Sequence, residues 1–393
     1  MLTVKLARLT AFFLVSTLLA ASTSPVAASA NRYVQISTGE DHTCALTSNG
    51  RAFCWGSNFD GELGDGTSSE SGVHGPQAVI GRLRFSRIDA GGSHTCALTK
   101  SGIAYCWGSN FYGELGDGTT SDSAVAGPRR VIGGLRFASI EAGGWHTCAL
   151  TRDGRAYCWG ENNHGQLGDG TTDLSGVTGP REVIGGHRFK SISAAAYDHT
   201  CALEVDGAAY CWGYNNAGQL GDGTTADSGV GGPKAVIGGL LFTSISAGYD
   251  KTCGLVMGGK AYCWGDNGFG ELGDGTILPS DTLGPREVIG GYLFNSIQSG
   301  GYHTCGISTL GRTLCWGDNT YGELGDGTLN PSAANGPQVV IGGLRFTSLG
   351  GNAYNTSALT RRGDAYCWGY NAFGDLGDGT RVTSGVSGPQ PVL

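Results

Sequence analysis

Short apolar runs of about five residues recur along the chain, and each is bounded by glycine or proline. Typical runs are "FASIEAGG", "HTCALT", "AYCWG" and "RVIGG", which contain the Val, Ile, Tyr and Trp residues that favour β-strands. We find no segment with the spacing of apolar positions that an amphipathic helix requires. The pattern therefore predicts an all-β protein.

The same order of runs repeats seven times. Cysteines of "HTCAL"-like segments stand at 44, 96, 148, 201, 253 and 305, and Ser357 takes the seventh place, so the step is 52 or 53 residues. A unit of four short strands matches a propeller blade. We predict a seven-bladed β-propeller over residues 31–393, with four antiparallel strands per blade. The two chain ends close the ring, because "YVQI" and "GPQPVL" match pieces that are consecutive elsewhere.

The pattern "HTCALT...G.AYCWG.N..GELGDGT......GP..VIGG" resembles the repeat of the regulator of chromosome condensation family, including bacterial members described as alpha-tubulin suppressor-like. The resemblance extends through all seven copies and implies the same propeller fold. Members of that family include a nuclear exchange factor for a small GTPase, a plant photoreceptor and secreted bacterial inhibitors of β-lactamase. The family therefore implies a fold more specifically than a function.

Residues 1–30 have the pattern of a secretory signal peptide. Lys5 and Arg8 precede the apolar run "LTAFFLVSTLLAA", and the segment ends in "ASA" at residues 28–30, so we expect cleavage after Ala30. An uncleaved anchor is the alternative, but the run is short for a bilayer, and no other stretch of the sequence could span one. The sequence predicts a secreted, periplasmic or cell-surface protein without membrane insertion.

Composition narrows the class of partner. The chain has 393 residues with 72 glycines, and 39% of its residues are hydrophobic, which is enough for a core. Removing Lys5 and Arg8 from 25 basic residues leaves 23 against 33 acidic residues, a formal charge of −10 after cleavage. Such a surface argues against binding nucleic acid.

The cysteine spacing predicts hairpin disulfides. A loop at 48–50, with Gly50 in the left-handed position, sets Cys44 opposite Cys54 and places Thr43 against Trp55. In an exported protein such pairs are expected to be oxidised. The six predicted pairs are Cys44–Cys54, Cys96–Cys106, Cys148–Cys158, Cys201–Cys211, Cys253–Cys263 and Cys305–Cys315.

Zinc is the alternative for these cysteines, with the histidine two residues before each first cysteine as a further ligand. The fifth copy argues against it, because Lys251 replaces the histidine while Cys253 and Cys263 remain. In the seventh copy Ser357 stands where the first cysteine of the pair would be. Cys367 is therefore expected to be a buried thiol or to form an intermolecular disulfide.

The segment "GELGDGT" at 61–67 and its copies combine glycine, a carboxylate and a hydroxyl. A phosphate loop would need a following helix and a lysine, which are missing. A calcium-binding loop is the alternative, with Asn58, Glu62 and Asp65 as ligands. Calcium, however, is usually bound by six to eight oxygen atoms. Because the motif returns in every copy, we interpret it as the corner of a blade, in which Asp65 caps the turn and the leucine packs between blades.

Other repeated side chains are also interpreted as scaffold. The seven tryptophans of the "WG" pairs are expected to pack between blades. The histidines could act as acids or bases, but we expect them to be structural; they are His42, His94, His146, His199 and His303.

Function is sought where the copies differ. The polar stretch after each "GDGT" is expected to be a solvated loop. The residue before "HT" also varies, and in a ring these side chains would surround the channel on one face, with aromatic hot-spot residues among acids. In secreted propellers that the chain resembles, aromatic residues at this position face the partner. The predicted partner-binding residues are Asp41, Ser93, Trp145, Tyr197, Asp198, Tyr249, Asp250, Tyr302 and Tyr354.

These observations predict a non-enzymatic, monomeric module that binds an extracellular or cell-surface protein, with no catalytic residue, no metal and no cofactor. Polysaccharide binding, or sugar hydrolysis by Asp41, Asp198 and Asp250, is the first alternative. Guanine nucleotide exchange is the second, on resemblance alone. A third interpretation is that the variable side chains only cover the loops.

Overall fold

The computed structural model describes residues 31–277, 282–330, 334–351 and 354–393, so the predicted signal peptide lies outside the described residues. Over these ranges 28 strands form seven four-stranded sheets, and the strands of each sheet are consecutive in sequence. Each sheet contacts the next, and the seventh contacts the first. The predicted seven-bladed propeller is confirmed.

The first strand of each blade lines a central channel. Each of these strands begins with a buried Tyr or Phe, such as Tyr33, whereas residues at its other end line the channel and are often polar. Asp89, for example, accepts hydrogen bonds from Ser37 Oγ (2.8 Å) and from the amide of Ala142 (2.7 Å) in the two neighbouring blades. The first strands are β1 (Tyr33–Thr38), β5 (Phe85–Ala90), β9 (Phe137–Ala142), β13 (Phe189–Ala194), β17 (Phe242–Ala247), β21 (Phe294–Ser299) and β25 (Phe346–Gly351).

The second and third strands carry the core. In the second strands almost every residue is buried, because both faces of the sheet pack against neighbouring blades. The second strands are β2 (His42–Thr47), β6 (His94–Thr99), β10 (His146–Thr151), β14 (His199–Glu204), β18 (Lys251–Val256), β22 (His303–Ser308) and β26 (Asn355–Thr360). The third strands are β3 (Ala52–Asn58), β7 (Ala104–Asn110), β11 (Ala156–Asn162), β15 (Ala209–Gly213), β19 (Ala261–Gly265), β23 (Thr313–Gly317) and β27 (Ala365–Asn371).

The fourth strands correct one expectation. The stretch after "GDGT" was expected to be loop, yet in four blades it belongs to a ten-residue outer strand. An outer strand pairs on one side only and leaves much of its surface in water, so it needs no apolar alternation. The fourth strands are β4 (Ser69–Ala78), β8 (Ser121–Arg130), β12 (Asp173–Glu182), β16 (Lys234–Ala235), β20 (Thr282–Glu287), β24 (Ala334–Val339) and β28 (Val382–Pro391). Short 3₁₀ turns at Gly229–Gly231 and Ile341–Gly343 accompany them.

The predicted hairpin register is confirmed. Cys44 lies directly opposite Cys54 with Cα atoms 4.1 Å apart, and Thr43 lies opposite Trp55. Gly50 adopts the left-handed conformation (φ 79°) that the loop requires. All six predicted cysteine pairs are bonded.

The seventh hairpin has the same register without a disulfide. Ser357 lies opposite Cys367, which is a buried free thiol whose pKa is raised by burial. The Ser357 hydroxyl is instead 2.5 Å from the hydroxyl of Thr38 in the first blade.

The ring closes where the first and seventh blades pack together. Tyr33 and Trp55 share one apolar cluster with Leu376 and Val392. The indole of Trp55 also donates to the carbonyl of Asp375 (2.9 Å). The first and last strands of the propeller therefore meet at this joint, as predicted, and among the described residues no blade mixes strands from the two ends.

Candidate protein-binding face

The "GELGDGT" segment forms a turn held by its own side chains. Asp65 Oδ1 accepts hydrogen bonds from the amide (2.9 Å) and the hydroxyl (2.7 Å) of Thr67. Asn58 accepts from the amide of Leu63 and donates to the carbonyl of Thr67. Leu63 is fully buried between blades. The carboxylate thus caps the corner, in agreement with the structural interpretation.

The same corner also joins neighbouring blades. The carbonyl of Glu62 accepts the indole N–H of Trp107 (2.7 Å) and the hydroxyl of Thr95 (2.9 Å) from the next blade. Gly64 has φ 63°, and a Cβ there would lie 2.6 Å from Nε1 of Trp107. The motif therefore needs glycine at this position for two reasons, and the prediction that the tryptophans pack between blades is confirmed.

The repeated histidines extend this joint. Nε2 of His42 lies 2.8 Å from the Thr95 hydroxyl, which itself donates to Glu62, so Nε2 carries the proton and donates. Burial lowers the pKa of His42 to about 3, and equivalent contacts hold the other four histidines. These side chains are neutral structural links. In the fifth copy the Lys251 ammonium donates to the carbonyl of Gly300 (2.9 Å) instead.

The predicted partner-binding residues lie in the loops between first and second strands. Tyr197 is exposed (39%), and Tyr249 is almost fully buried (2%). The remaining seven are partly exposed: Asp41, Ser93, Trp145, Asp198, Asp250, Tyr302 and Tyr354.

Four of these residues from successive blades form one aromatic group, which we call the tyrosine cluster: Tyr197, Tyr249, Tyr302 and Tyr354. Neighbouring ring centroids are 4.4, 5.4 and 5.8 Å apart along the series. Such distances are typical of packed aromatic pairs. The cluster therefore presents a continuous surface that holds its own shape.

Tyr249 anchors the cluster across the channel. Its hydroxyl lies 2.8 Å from Oε1 of Glu40, which belongs to the first blade, whereas Tyr249 belongs to the fifth. Burial raises the pKa of the Tyr249 phenol, so the hydroxyl stays protonated and donates to Glu40. Tyr249 thus supports the face and is covered by its neighbours.

The acidic residues of the ring face different partners across the blade joints. Asp198 accepts a hydrogen bond from Gln166 (3.0 Å), and Asp250 accepts one from Gln219 (3.1 Å). These two glutamines replace glutamate in the third and fourth copies of "GELGDGT". Asp41 instead faces Asp375, and burial together with Asp41 raises the pKa of Asp375 well above its usual range.

The residue before "LGDGT" is the corner residue, and in two copies that have glutamate there, Glu114 and Glu323, one carboxyl oxygen is buried without a hydrogen-bond partner. Both carboxyl oxygens of Glu62 accept hydrogen bonds. Oε2 of Glu323 accepts from the amide of Tyr321 (2.9 Å), but Oε1 is buried and has no hydrogen-bond partner. Burial raises the pKa of Glu323 to about 8. The following blade offers Tyr354 here, at the position where Asp198 meets Gln166. A hydrogen bond between corner and ring residue thus forms at the two glutamine joints, whereas two carboxyl groups face each other at the Asp41–Asp375 joint.

The structure adds face residues that the sequence analysis did not select. Tyr321 and Tyr370 extend the tyrosine cluster beside Tyr354, with centroids 5.8 and 6.1 Å from its ring. In the second and third blades Phe111, Tyr112 and Glu161 line a cleft with Trp145. All of these residues lie between "WG" and "GELGDGT", and that stretch also differs among the copies. The variation that identified the ring would have identified them too.

Known families match most of this chain. A model of the RCC1-like domain matches residues 15–237. Models of the regulator of chromosome condensation (RCC1) repeat match residues 242–271 and 294–323, and another match spans residues 258–307. Within the part of the chain that the structure describes, no helix is long and apolar enough to cross a bilayer.

Individual relatives agree with these matches. The chain is 30% identical to the Ultraviolet-B receptor UVR8 of Arabidopsis thaliana, over 91% of this chain and 81% of that protein. It is 30% identical to the human E3 ubiquitin-protein ligase HERC2 over 76% of this chain, which spans 6% of HERC2.

The solved structure of yeast RCC1 (Prp20) bound to Kap60 has the same fold. Its TM-score is 0.77 at 20% identity, over 93% of this chain and 85% of that one. With seven RCC1-type blades and these matches, the chain belongs to the regulator of chromosome condensation (RCC1) repeat family.

Proposed function

We propose that this protein is a secreted, non-enzymatic binding module that holds an extracellular protein on the face bearing Trp145, Tyr302 and Tyr354. The observation that carries the proposal is the tyrosine cluster, in which aromatic rings from four successive blades pack together. Tyr197, Tyr302 and Tyr354 remain exposed or partly exposed above the buried Tyr249. Preformed aromatic surfaces lose little side-chain freedom on binding and provide most hot-spot energy.

Relatives support a binding role. Prp20 is recorded in complex with another protein, Kap60. At least one RCC1-type propeller thus has a protein partner, and the present chain has the same fold. Catalysis has less support, because Asp198 and Asp250 are each engaged by a glutamine and Asp41 faces another carboxyl group.

The disulfides support an oxidising location. Six bonded pairs are typical of proteins outside the reducing cytosol. We therefore place the partner outside the cell or on a cell surface, and we expect the protein itself to be monomeric.

Replacement of three side chains tests the proposal. The mature protein and its Trp145→Ala, Tyr302→Ala, Tyr354→Ala triple variant would each be used to capture proteins from the native medium. We expect the triple variant to lose the partner, with at least a hundredfold weaker binding, because each aromatic hot spot contributes about 2 kcal/mol. Tyr249 is left intact because it supports the cluster.

The control is a triple alanine variant of exposed residues in other loops, Val205, Met257 and Leu310, which are 75%, 87% and 76% exposed. It should bind as the parent does, and both variants should melt near the parent temperature. Unchanged partner binding by the face variant would contradict the proposal. Binding of a glycan in place of any protein would favour the polysaccharide alternative.

A further inference from the structure

A cleft at the joint of the second and third blades combines aromatic rings with carboxyl groups. Phe111, Tyr112 and Trp145 line it, together with Asp60 and Glu161, and its volume is about 460 Å³. The rings of Phe111 and Trp145 each stand at 82° to that of Tyr112, with centroids 4.8 and 6.1 Å away. The cleft therefore offers ring surfaces in more than one orientation.

The polar side chains of the cleft can all accept hydrogen bonds, and none of them is positively charged. Ser121 and Ser123 also line it, and no lysine or arginine of the described part of the chain does. Among the described residues, neither Asp60 nor Glu161 forms an ion pair. Aromatic faces and carboxylates both attract cations, and the whole chain carries a formal charge of −8.

The surroundings of Glu161 also favour a bound cation. Glu161 is 6% exposed, and the side-chain amide of Asn163 donates from Nδ2 to its Oε1 (2.5 Å). Behind it lies Asp198, and burial together with this second carboxyl group raises the pKa of Glu161 to about 8. Two adjacent carboxyl groups without a counter-ion are stabilised by a proton, or by a cation that takes its place.

We propose that this cleft binds an arginine side chain of the protein partner. A guanidinium is planar, stacks on aromatic rings and has five N–H donors, which suit two carboxyl groups and the serine hydroxyls of the cleft. The cleft lies beside Trp145, so the proposal rests on the binding face described above and names the chemistry that one part of it recognises.

The test uses small probes with the mature protein. The probes are the peptide acetyl-Gly-Arg-Gly-amide and its citrulline analogue, which has the same shape but no charge. Trp145 reports binding, because the other seven tryptophans are fully buried. Its indole N–H signal in ¹⁵N-labelled protein is assigned by its loss in Trp145→Phe.

We expect the arginine peptide to shift this signal with a Kd on the order of 1 mM, and the citrulline peptide to bind at least tenfold more weakly. Glu161→Gln and Asp60→Asn should each weaken arginine binding about tenfold or more. Met257→Ala, a change at an exposed position (87%) outside the face, should leave it unchanged. Equal binding of both peptides, or no shift with either, would overturn the proposal.

The pH dependence provides a second readout. A bound guanidinium favours the ionised form of Glu161, so affinity should rise between pH 6 and pH 8 and then level off. Glu114, Asp198 and Tyr112 face the same carboxyl group, and Asp60 lines the same cleft. The rise should disappear in Glu161→Gln. A rise that persists in that variant would contradict the role of Glu161.

The two proposals can fail separately. One outcome is that the Tyr302→Ala, Tyr354→Ala double variant loses a captured partner while Glu161→Gln and Asp60→Asn retain it. In that case the face binds protein and the cleft does not bind arginine. If methyl glucoside shifts the Trp145 signal and the arginine peptide does not, the cleft is a sugar site.

Discussion

At the residue scale, the corner residue before "LGDGT" determines which hydrogen bonds form at a blade joint. It also determines how the stability of that joint depends on pH. Glutamine at this position gives an aspartate of the next blade a hydrogen bond, as Gln166 does for Asp198. In two copies, glutamate at this position has one oxygen buried without a partner, as in Glu323. The second arrangement is stable only while the carboxyl group holds its proton.

The pH dependence of stability follows from the raised pKa of Glu323. Its folded pKa of about 8 lies above the ordinary value of 4.5, so the folded state holds the proton more tightly. The contribution to stability is complete below about pH 4.5 and is lost as pH rises towards 8. Glu323→Gln should therefore raise the free energy of unfolding on the order of 2 kcal/mol at pH 8 and little at pH 5.

Urea denaturation at the two pH values measures this difference. The matched control is Gln166→Glu, which places a carboxyl group beside Asp198 and should destabilise the protein more at pH 8 than at pH 5. Equal effects of Glu323→Gln at both pH values would show that the Glu323 carboxyl group does not titrate in this range.

At the element scale, the hairpin of the second and third strands is the stable unit of each blade. Its register alone places two cysteines face to face in six blades. The seventh hairpin keeps that register, with Ser357 opposite Cys367. The seventh blade thus has the geometry for a disulfide and lacks only one sulfur atom.

Ser357→Cys should therefore form a seventh disulfide. The new bond closes a loop of the same length as the other six, and it should stabilise the protein by roughly 2 kcal/mol, less the lost contact with Thr38. Mass spectrometry after alkylation of the unfolded, non-reduced protein should find one thiol in the parent and none in the variant. Two thiols in Ser357→Cys would contradict the register, and Ser357→Cys, Cys367→Ser serves as the unbonded control.

At the scale of the whole molecule, the ring has seven equivalent joints, one of which connects the chain ends. The indole of Trp55 donates to Asp375 at that joint (2.9 Å), and Trp159 donates to Glu114 at an internal one (2.7 Å). Both tryptophans are fully buried. The closing joint is therefore built like the others, without an exchanged strand.

Replacing either tryptophan by phenylalanine should cost a similar free energy of unfolding, about 2 kcal/mol, because each change leaves a buried carbonyl with one donor fewer and a small cavity. Thermal melts of Trp55→Phe and Trp159→Phe, each compared with the parent protein, measure the two losses of stability. A much smaller loss for Trp55→Phe would show that the ends of the chain are held more loosely than the internal joints.

The sequence by itself determined the blade, because its information is local. Strand length, hairpin register and cysteine pairing depend on spacing within about fifteen residues. The pairing of Cys44 with Cys54 could therefore be predicted from the sequence alone. The number of blades followed from counting copies. The extension of the outer strands into the stretch after "GDGT" was not predicted, because this stretch lacks apolar alternation, as Ser69–Ala78 shows.

Only the tertiary structure decided how residues from different blades meet. Tyr249 was selected as a contact residue with Tyr302, but the ring buries it and joins it to Glu40, 209 residues away. The cleft beside Trp145 likewise combines three blades, and no spacing within one repeat brings Asp60 towards Glu161. Repetition specifies the parts of a propeller, whereas its binding face depends on contacts between parts that are distant in sequence.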